Sequence, residues 1–170
     1  ARKATLDDDD LMIFNKRIVK NDFIVPEEVL TLSTNNYKVN SINASNLKNI
    51  SSKEYIYHAE IDGKYSGAPV DEELRMKVGA QVMLVKNSKN WVNGTLATID
   101  KLSKKEIHIR VKDEVYLLEP ETWERFEYII SDKKISSSVS ATFTQYPIKL
   151  AWAATIHKCQ GQTFENVMID

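Results

Sequence analysis

LAWAATIHKCQGQTFENVMID, residues Leu150–Asp170, passes from apolar to polar and back again. Its opening, Leu150–Ile156, is small and apolar. A polar knot of Thr155, His157, Lys158, Gln160 and Gly161 follows, and Val167–Ile169 then reads as a short buried strand ending on Asp170. Thr155 offers a hydroxyl, Lys158 and Gln160 can donate to anionic oxygens, and Gly161 lets the backbone come close to a ligand. An apolar approach, such a knot and then a strand is what a phosphate-facing loop or helix end needs. An ordinary amphipathic helix stopped by a glycine fits the same letters.

The nearest comparable pattern lies far upstream. Val29–Thr34 (VLTLST) reads as a strand, and Asn35–Ile50 as a helix with Val39, Ile42, Ala44 and Leu47 turned inward. A strand that ends in Ser-Thr-Asn-Asn and opens a helix is the α/β arrangement in which ligands meet strand C-termini. A plain N-cap at Thr34 or Asn35 accounts for the same residues. Before it, Asp7–Asp10 suit the N-terminus of a short amphipathic helix over Leu11–Val19, with Leu11, Phe14 and Ile18 on one face. Lys53–Ile61 alternates as a further strand, and Gly63–Pro69 is a loop and a boundary.

Between these two parts the pattern changes to short strands. Gln81–Lys86, Thr95–Asp100, Glu106–Val111 and Val115–Glu119 are separated by turns at Ser88–Gly94 and Lys101–Lys105. Trp123–Ile130 and Ser136–Phe143 then read as a hairpin about Asp132–Lys134. Such spacing predicts a small antiparallel barrel. The expected fold is therefore α+β, a partial α/β domain interrupted by a β-barrel insertion. Its parts are residues 1–73, the barrel at 74–146, and a return at 147–170.

Composition sets the outer limits. The chain has 170 residues, 42% hydrophobic and 28% charged, which suits one core with a small satellite. A net charge of −1 provides no global basic field, so any nucleic-acid contact must come from a local patch. Cys159, the single cysteine, excludes an internal disulfide and a cysteine metal cluster, and fits a reducing, cytoplasmic setting. No apolar run reaches membrane-spanning length and no signal peptide is visible, so no membrane partner is expected. A start at Ala1 and a stop directly after a strand read as a piece of a longer chain.

Chemistry by this chain alone looks poor. None of its five glycines completes a G-x-x-x-x-G-K-[ST] phosphate loop. His58, His108 and His157 do not sit at zinc spacing, so no metal site is expected. Cys159 and His157, two residues apart, point to different faces of a helix. No catalytic residue is expected within these residues. Binding looks better: Lys86, Lys89, Trp91 and Asn93 gather in one turn, with Lys101, Lys104 and Lys105 in the next. Ammonium groups beside an aromatic suit single-stranded nucleic acid, and solvated turns around a half-buried tryptophan suit the same residues.

With these segments assembled, the sequence resembles the superfamily 1B DNA helicases of the RecD/Dda and PIF type. TLSTNNYKVNSIN (Thr31–Asn43) is similar to the fourth helicase motif, at the start of the second RecA-like domain. LRMKVGAQVMLVKN with WVNGTLATI (Leu74–Ile99) is similar to the entry of the Src-homology-3-like barrel inserted there. LAWAATIHKCQGQTF (Leu150–Phe164) is similar to the fifth motif, with its Thr-x-His-x-x-Gln-Gly core. The resemblance implies that Thr155 and His157 face the phosphates of single-stranded DNA, with Lys158 nearby and Trp91 and Asn93 as further DNA contacts. It implies that Gln160 and Gly161 lie towards the nucleotide cleft. Thr163 departs from the glutamate many relatives carry there. The first RecA-like domain with its phosphate loop and magnesium carboxylate, and the sixth motif with its arginine finger, do not occur in the chain. ATP and Mg2+ are thus implied for the parent protein, with none bound to this piece and no ATPase activity from it alone. Its implied partners are single-stranded DNA and the absent RecA-like domain. A stand-alone nucleic-acid-binding or protein-interaction barrel is the alternative.

Overall fold

Strand formation follows the apolar alternation of the middle of the chain, and the helices follow their caps. A computed structural model describes residues 7–20, 24–26, 29–131, 134–164 and 166–170. In chain order the elements are α1 (Asp8–Asn15), β1 (Leu30–Ser33), α2 (Asn36–Asn49), β2 (Glu54–His58), β3 (Glu60–Asp62), β4 (Glu73–Lys77) and β5 (Gln81–Leu84). They continue as β6 (Leu96–Leu102), β7 (Ile107–Val111), β8 (Glu114–Leu118), β9 (Glu121–Ser131), β10 (Lys134–Gln145), β11 (Ile148–Leu150) and β12 (Ala153–Thr155). A 3₁₀ turn (Ile156–Cys159) and β13 (Val167–Ile169) complete the described elements. The α+β expectation holds.

The larger part is antiparallel. Five strands run in the order β11-β5-β6-β7-β8, and the pair β2-β4 lies across the same core. Ile107, Ile109 and Val111 of β7 point inward while Arg110 stays exposed, which is the alternation expected of a half-buried strand. Ile99, Leu84, Ile148, Leu74 and Met76 fill the space between the sheet and the pair. Tyr57 and Tyr146 meet edge to face with centroids 5.2 Å apart. Their hydroxyls donate to the carbonyls of Ser103 (2.5 Å) and Lys105 (2.7 Å), so two core rings pin the lysine-rich turn. Burial pushes the Tyr57 phenol up to about 12, with Tyr146 and Tyr55 adding to it. The Tyr146 phenol is raised for the same first reason.

The expected hairpin is longer than predicted. β9 and β10 pair from Glu121↔Gln145 to Ser131↔Lys134, with a bulge between Val139 and Ala141, and β3 joins the other edge of β10. The single strand expected over 53–61 is split, because β2 pairs with β4 whereas β3 pairs with β10.

The smaller part is a parallel sheet in the order β12-β1-β13. Thr31 pairs with Ala153 on one side and Met168 on the other, joining the two ends of the sequence across the antiparallel part. Asn35 caps α2, its side chain accepting from the amides of Tyr37 (2.9 Å) and Lys38 (3.3 Å). Helix α2 buries Val39 and Leu47, whereas Ala44 is exposed, against expectation. Asn43 finishes the free edge of β12. Its amide donates to the Ala153 carbonyl and accepts from the Ala153 N–H, both at 2.9 Å.

Two further expectations fail on burial. Helix α1 begins at an Asp7–Asp10 capping box, as the acidic run suggested, yet it buries none of its residues. Leu11 and Phe14, expected inward, are exposed, because no described element packs on them. Strand β13, expected to be buried, is an edge with Val167 and Ile169 exposed.

Candidate nucleic-acid and nucleotide interface

The polar knot hangs from the carboxyl end of β12. Parallel strands present their C-terminal ends together, and here Ser33 of β1 and Thr155 of β12 are in register. The chain then makes one 3₁₀ turn, not the longer amphipathic helix its pattern also allowed. Thr155 is only 6% exposed, packed at the strand end. His157, Lys158, Gln160 and Gly161 are exposed. Cys159, the anchor of the turn, is buried against Leu30, Met83 and Ala151, and burial raises its thiol pKa. Half-buried nearby, Lys149 has its ammonium pKa lowered first by desolvation and then by the charge of Lys158.

Gly161 has φ +81°, and among the described residues nothing lies within 4 Å of the place its Cβ would take. Such a turn leaves a clear approach to the backbone beside the exposed Gln160 amide. A shallow hollow of about 540 Å³ is lined by Leu32, His157, Gln160, Gln162, Phe164 and Val167. It brings together His157 and Gln160, one expected to face DNA and the other the nucleotide.

The turn at 87–94 supplies the second group. Its backbone is held from within: Asn93 N–H donates to Asn87 Oδ1 (2.6 Å), Gly94 N–H to the Leu84 carbonyl (2.8 Å), and Ser88 N–H to the Trp91 carbonyl (2.9 Å). Trp91 is half-buried, its ring edge to face with Tyr116 at 5.4 Å, so only part of it is open to a base. Asn93 is exposed. It lies on a cleft of about 670 Å³, together with Gly94, Arg110, Gly161, Gln162 and Phe164. Asn93 and Gly161 are therefore neighbours across one cleft, whereas Trp91 lines neither hollow.

Gln162 lines both hollows and was not singled out in the sequence. Its Nε2 lies 3.5 Å from Asn93 Oδ1, and its buried Oε1 has no hydrogen-bond partner among the described residues. Nothing in its spacing distinguishes it from a solvent-facing glutamine. Asn43, the other residue that positions the knot, stood inside the fourth-motif resemblance but without a role.

Gln160 presents an exposed amide beside the exposed Gly161 backbone, groups that can donate to anionic oxygens. Among the described residues no three His, Cys, Asp or Glu side chains converge as a metal site. No described helix is long and apolar enough to cross a membrane.

A parallel sheet split in sequence by antiparallel strands, with a Thr-x-His-x-x-Gln-Gly turn at its carboxyl edge, matches the class expected from the resemblance, superfamily 1B. Comparison with known proteins narrows it. Residues 65–102 match the family described as DNA helicase Pif1, 2B domain. An ATP-dependent DNA helicase Pif1 from Campylobacter jejuni is 32% identical, over 79% of this chain and 34% of its own length. The PIF1 helicase of Saccharomyces cerevisiae is 29% identical, over 95% of this chain and 18% of its own. Among solved structures, Bacteroides sp Pif1 in complex with ADP-AlF4 superposes with a TM-score of 0.86 at 29% identity, covering 96% of this chain and 39% of that one. Bacteroides Pif1 bound to ssDNA gives a TM-score of 0.75 at the same 29% identity, with the same 96% and 39% coverage. Over most of its length the chain is similar to the Pif1-type helicases of superfamily 1B. It spans about a third of the length of the Campylobacter relative, and 23% of the Pif1 helicase of Bdellovibrio bacteriovorus.

Proposed function

We propose that this chain supplies part of the single-stranded DNA track and one face of the nucleotide cleft of an ATP-dependent DNA helicase. In this reading β1, α2, β12 and β13 belong to the second RecA-like domain, and the antiparallel part is its inserted Src-homology-3-like barrel. The observation that carries it is the placement of exposed His157 and Lys158 at the carboxyl end of β12, one turn before the open Gln160–Gly161 backbone. His157 and Lys158 take phosphate oxygens of the strand. Thr155, nearly buried beneath them, fixes the end from which they project. Asn93 extends the track onto the barrel turn, and Trp91 offers a ring edge to a base.

Gln160 and Gly161 contact ATP from one side. ATP with Mg2+ supplies the free energy of translocation when a second RecA-like domain closes on it. The phosphate loop, metal carboxylate and arginine that phosphoryl transfer requires are not among these residues, so the 170-residue chain alone turns over no ATP.

Fluorescence anisotropy of a labelled oligo(dT) against this chain tests the reading. Binding is expected to weaken with salt, since each phosphate contact on a single strand adds about −0.7 to the log–log slope. Lys158→Ala is expected to make that slope shallower by about that one contact. Binding that ignores salt, or a Thr155/His157 double-alanine variant that binds as well as the parent chain, overturns the reading in favour of a protein-interaction module. ATP turnover above that of the double variant overturns the inactivity of the isolated chain.

A further inference from the structure

We infer that Gln162 is a positioning residue: it seats the 87–94 turn of the antiparallel part against the 155–161 segment and fixes the distance between Asn93 and Gly161. The first observation is one of space. Gly94 has φ +93°, and a Cβ built there would lie 2.5 Å from Gln162 Oε1, 2.7 Å from Cδ and 3.1 Å from Cγ. The glutamine side chain occupies the room that any other residue at position 94 would fill. Gly94 is thus glycine for its conformation and again for the close approach of Gln162.

The second observation concerns what holds the contact. The Nε2 to Asn93 Oδ1 separation is 3.5 Å, the outer limit for a hydrogen bond, and Oε1 is buried without a donor among the described residues. A contact with one hydrogen bond at its outer limit and an unpaired acceptor rests chiefly on shape. Both sides of it are firm. Gln162 N–H donates to the carbonyl of buried Cys159 at 3.1 Å, and the facing turn carries its own hydrogen bonds to Asn87 and Leu84. Position 162 also belongs, with Thr163 and Phe164, to the wall shared by the two hollows, so a shift of this side chain changes the width of both. The functional consequence rests on the proposed function: a barrel contact to DNA and a nucleotide-side backbone then move together through one side chain.

The test is amide hydrogen exchange by NMR on the 170-residue chain, which needs no ligand. Gln162→Ala empties the space against Gly94, and exchange at Asn93 and Gly94 is expected to quicken by about fivefold or more while Ile109 in β7 is unchanged. Gln162→Met keeps the shape without the orphan acceptor, and is expected to return those rates to within about twofold of the parent. Unchanged exchange at Asn93 and Gly94 in the alanine variant overturns the inference, and so does a methionine variant as loose as alanine. A second arm measures oligo(dT) binding for Asn93→Ala and His157→Ala, singly and together. Their losses should be coupled in the parent and become additive in the Gln162→Ala background. Additive losses in the parent overturn the coupling. A parent chain that does not bind DNA overturns the proposed function, while the exchange rates still decide the role of Gln162.

Discussion

The antiparallel and parallel parts of this molecule are built to different standards. The antiparallel part encloses the larger core, to which helix α2 adds Leu47, with Ile107, Ile109, Leu84 and Ile148 wholly out of solvent and strand pairing on many sides. The parallel part has one covering helix and three short strands, the outer of which leaves Val167 and Ile169 facing solvent. Its small core is shared, since Met83 of β5 packs with Leu30, Ala151 and Cys159. Stability therefore concentrates in the part with few candidate contacts, and the polar knot hangs from the part with little core. Binding segments set on a rigid neighbour commonly have this division.

Truncation in the antiparallel core should have the largest effect. Ile109→Ala should cost about 2–5 kcal/mol, the usual range for truncating a fully buried aliphatic, read as a fall in the denaturant midpoint. Ile169→Ala, at 72% exposure, should stay within about 0.5 kcal/mol. Comparable losses in the two variants would mean that the parallel part carries an equal share of stability.

A smaller effect sharpens the boundary. Asn43→Ala leaves the Ala153 N–H and carbonyl without their side-chain partners, at a cost of about 1–3 kcal/mol if water does not replace them. Exchange should quicken at Ala153 with Ile109 unaffected. Equal acceleration at both would show that the two parts open as one.

The smallest expected effect is in the lysine-turn anchor. Tyr57→Phe removes the hydroxyl that donates to the Ser103 carbonyl, with the Glu106 carbonyl at 3.4 Å as a second acceptor, a loss of about 1 kcal/mol. It also has a pH signature. A phenol held up to about 12 in the folded chain keeps its proton where the unfolded chain, near 10, has lost it. The folded state then binds more protons, so stability is intact below about pH 10 and falls as pH rises towards 12. Phenylalanine should flatten that decline relative to the parent, and an unchanged alkaline slope would assign it to other groups.

Much of this plan was legible because period and punctuation agree in the middle of the chain. Ile107, Ile109 and Val111 alternate, lysine and glycine turns interrupt them, and β7 appears where the pattern places it. Asn35 was legible as a cap and does cap α2. Burial at the two ends was not legible, because an apolar run such as Leu11–Phe14 or Val167–Ile169 records an affinity for a partner surface without saying that one is packed there. Helix α1 and strand β13 have the expected types and the wrong exposure. The strands at 148–150 and 153–155 were hidden in what looked like one apolar approach, since only the change of partner, from β5 to β1, separates them. Gln162 was illegible for a simpler reason. Its contact is with a glycine, and a residue without a side chain leaves no complementary letter to pair with.

The crossing of β1 by β12 and β13 also sets an order in time. Asn43 and its partner Ala153 are 110 residues apart, while β7 and β8 meet across a two-residue turn. Local hairpins close quickly, whereas distant pairings wait until the chain between them has been drawn in. During synthesis, at roughly 5–20 residues per second, β1 leaves the ribosome several seconds before the strand that will lie beside it exists. Leu30, wholly buried in the finished molecule, spends that interval uncovered. The sheet that carries the polar knot is thus the one most exposed to chaperones and to mispairing while the chain is being made.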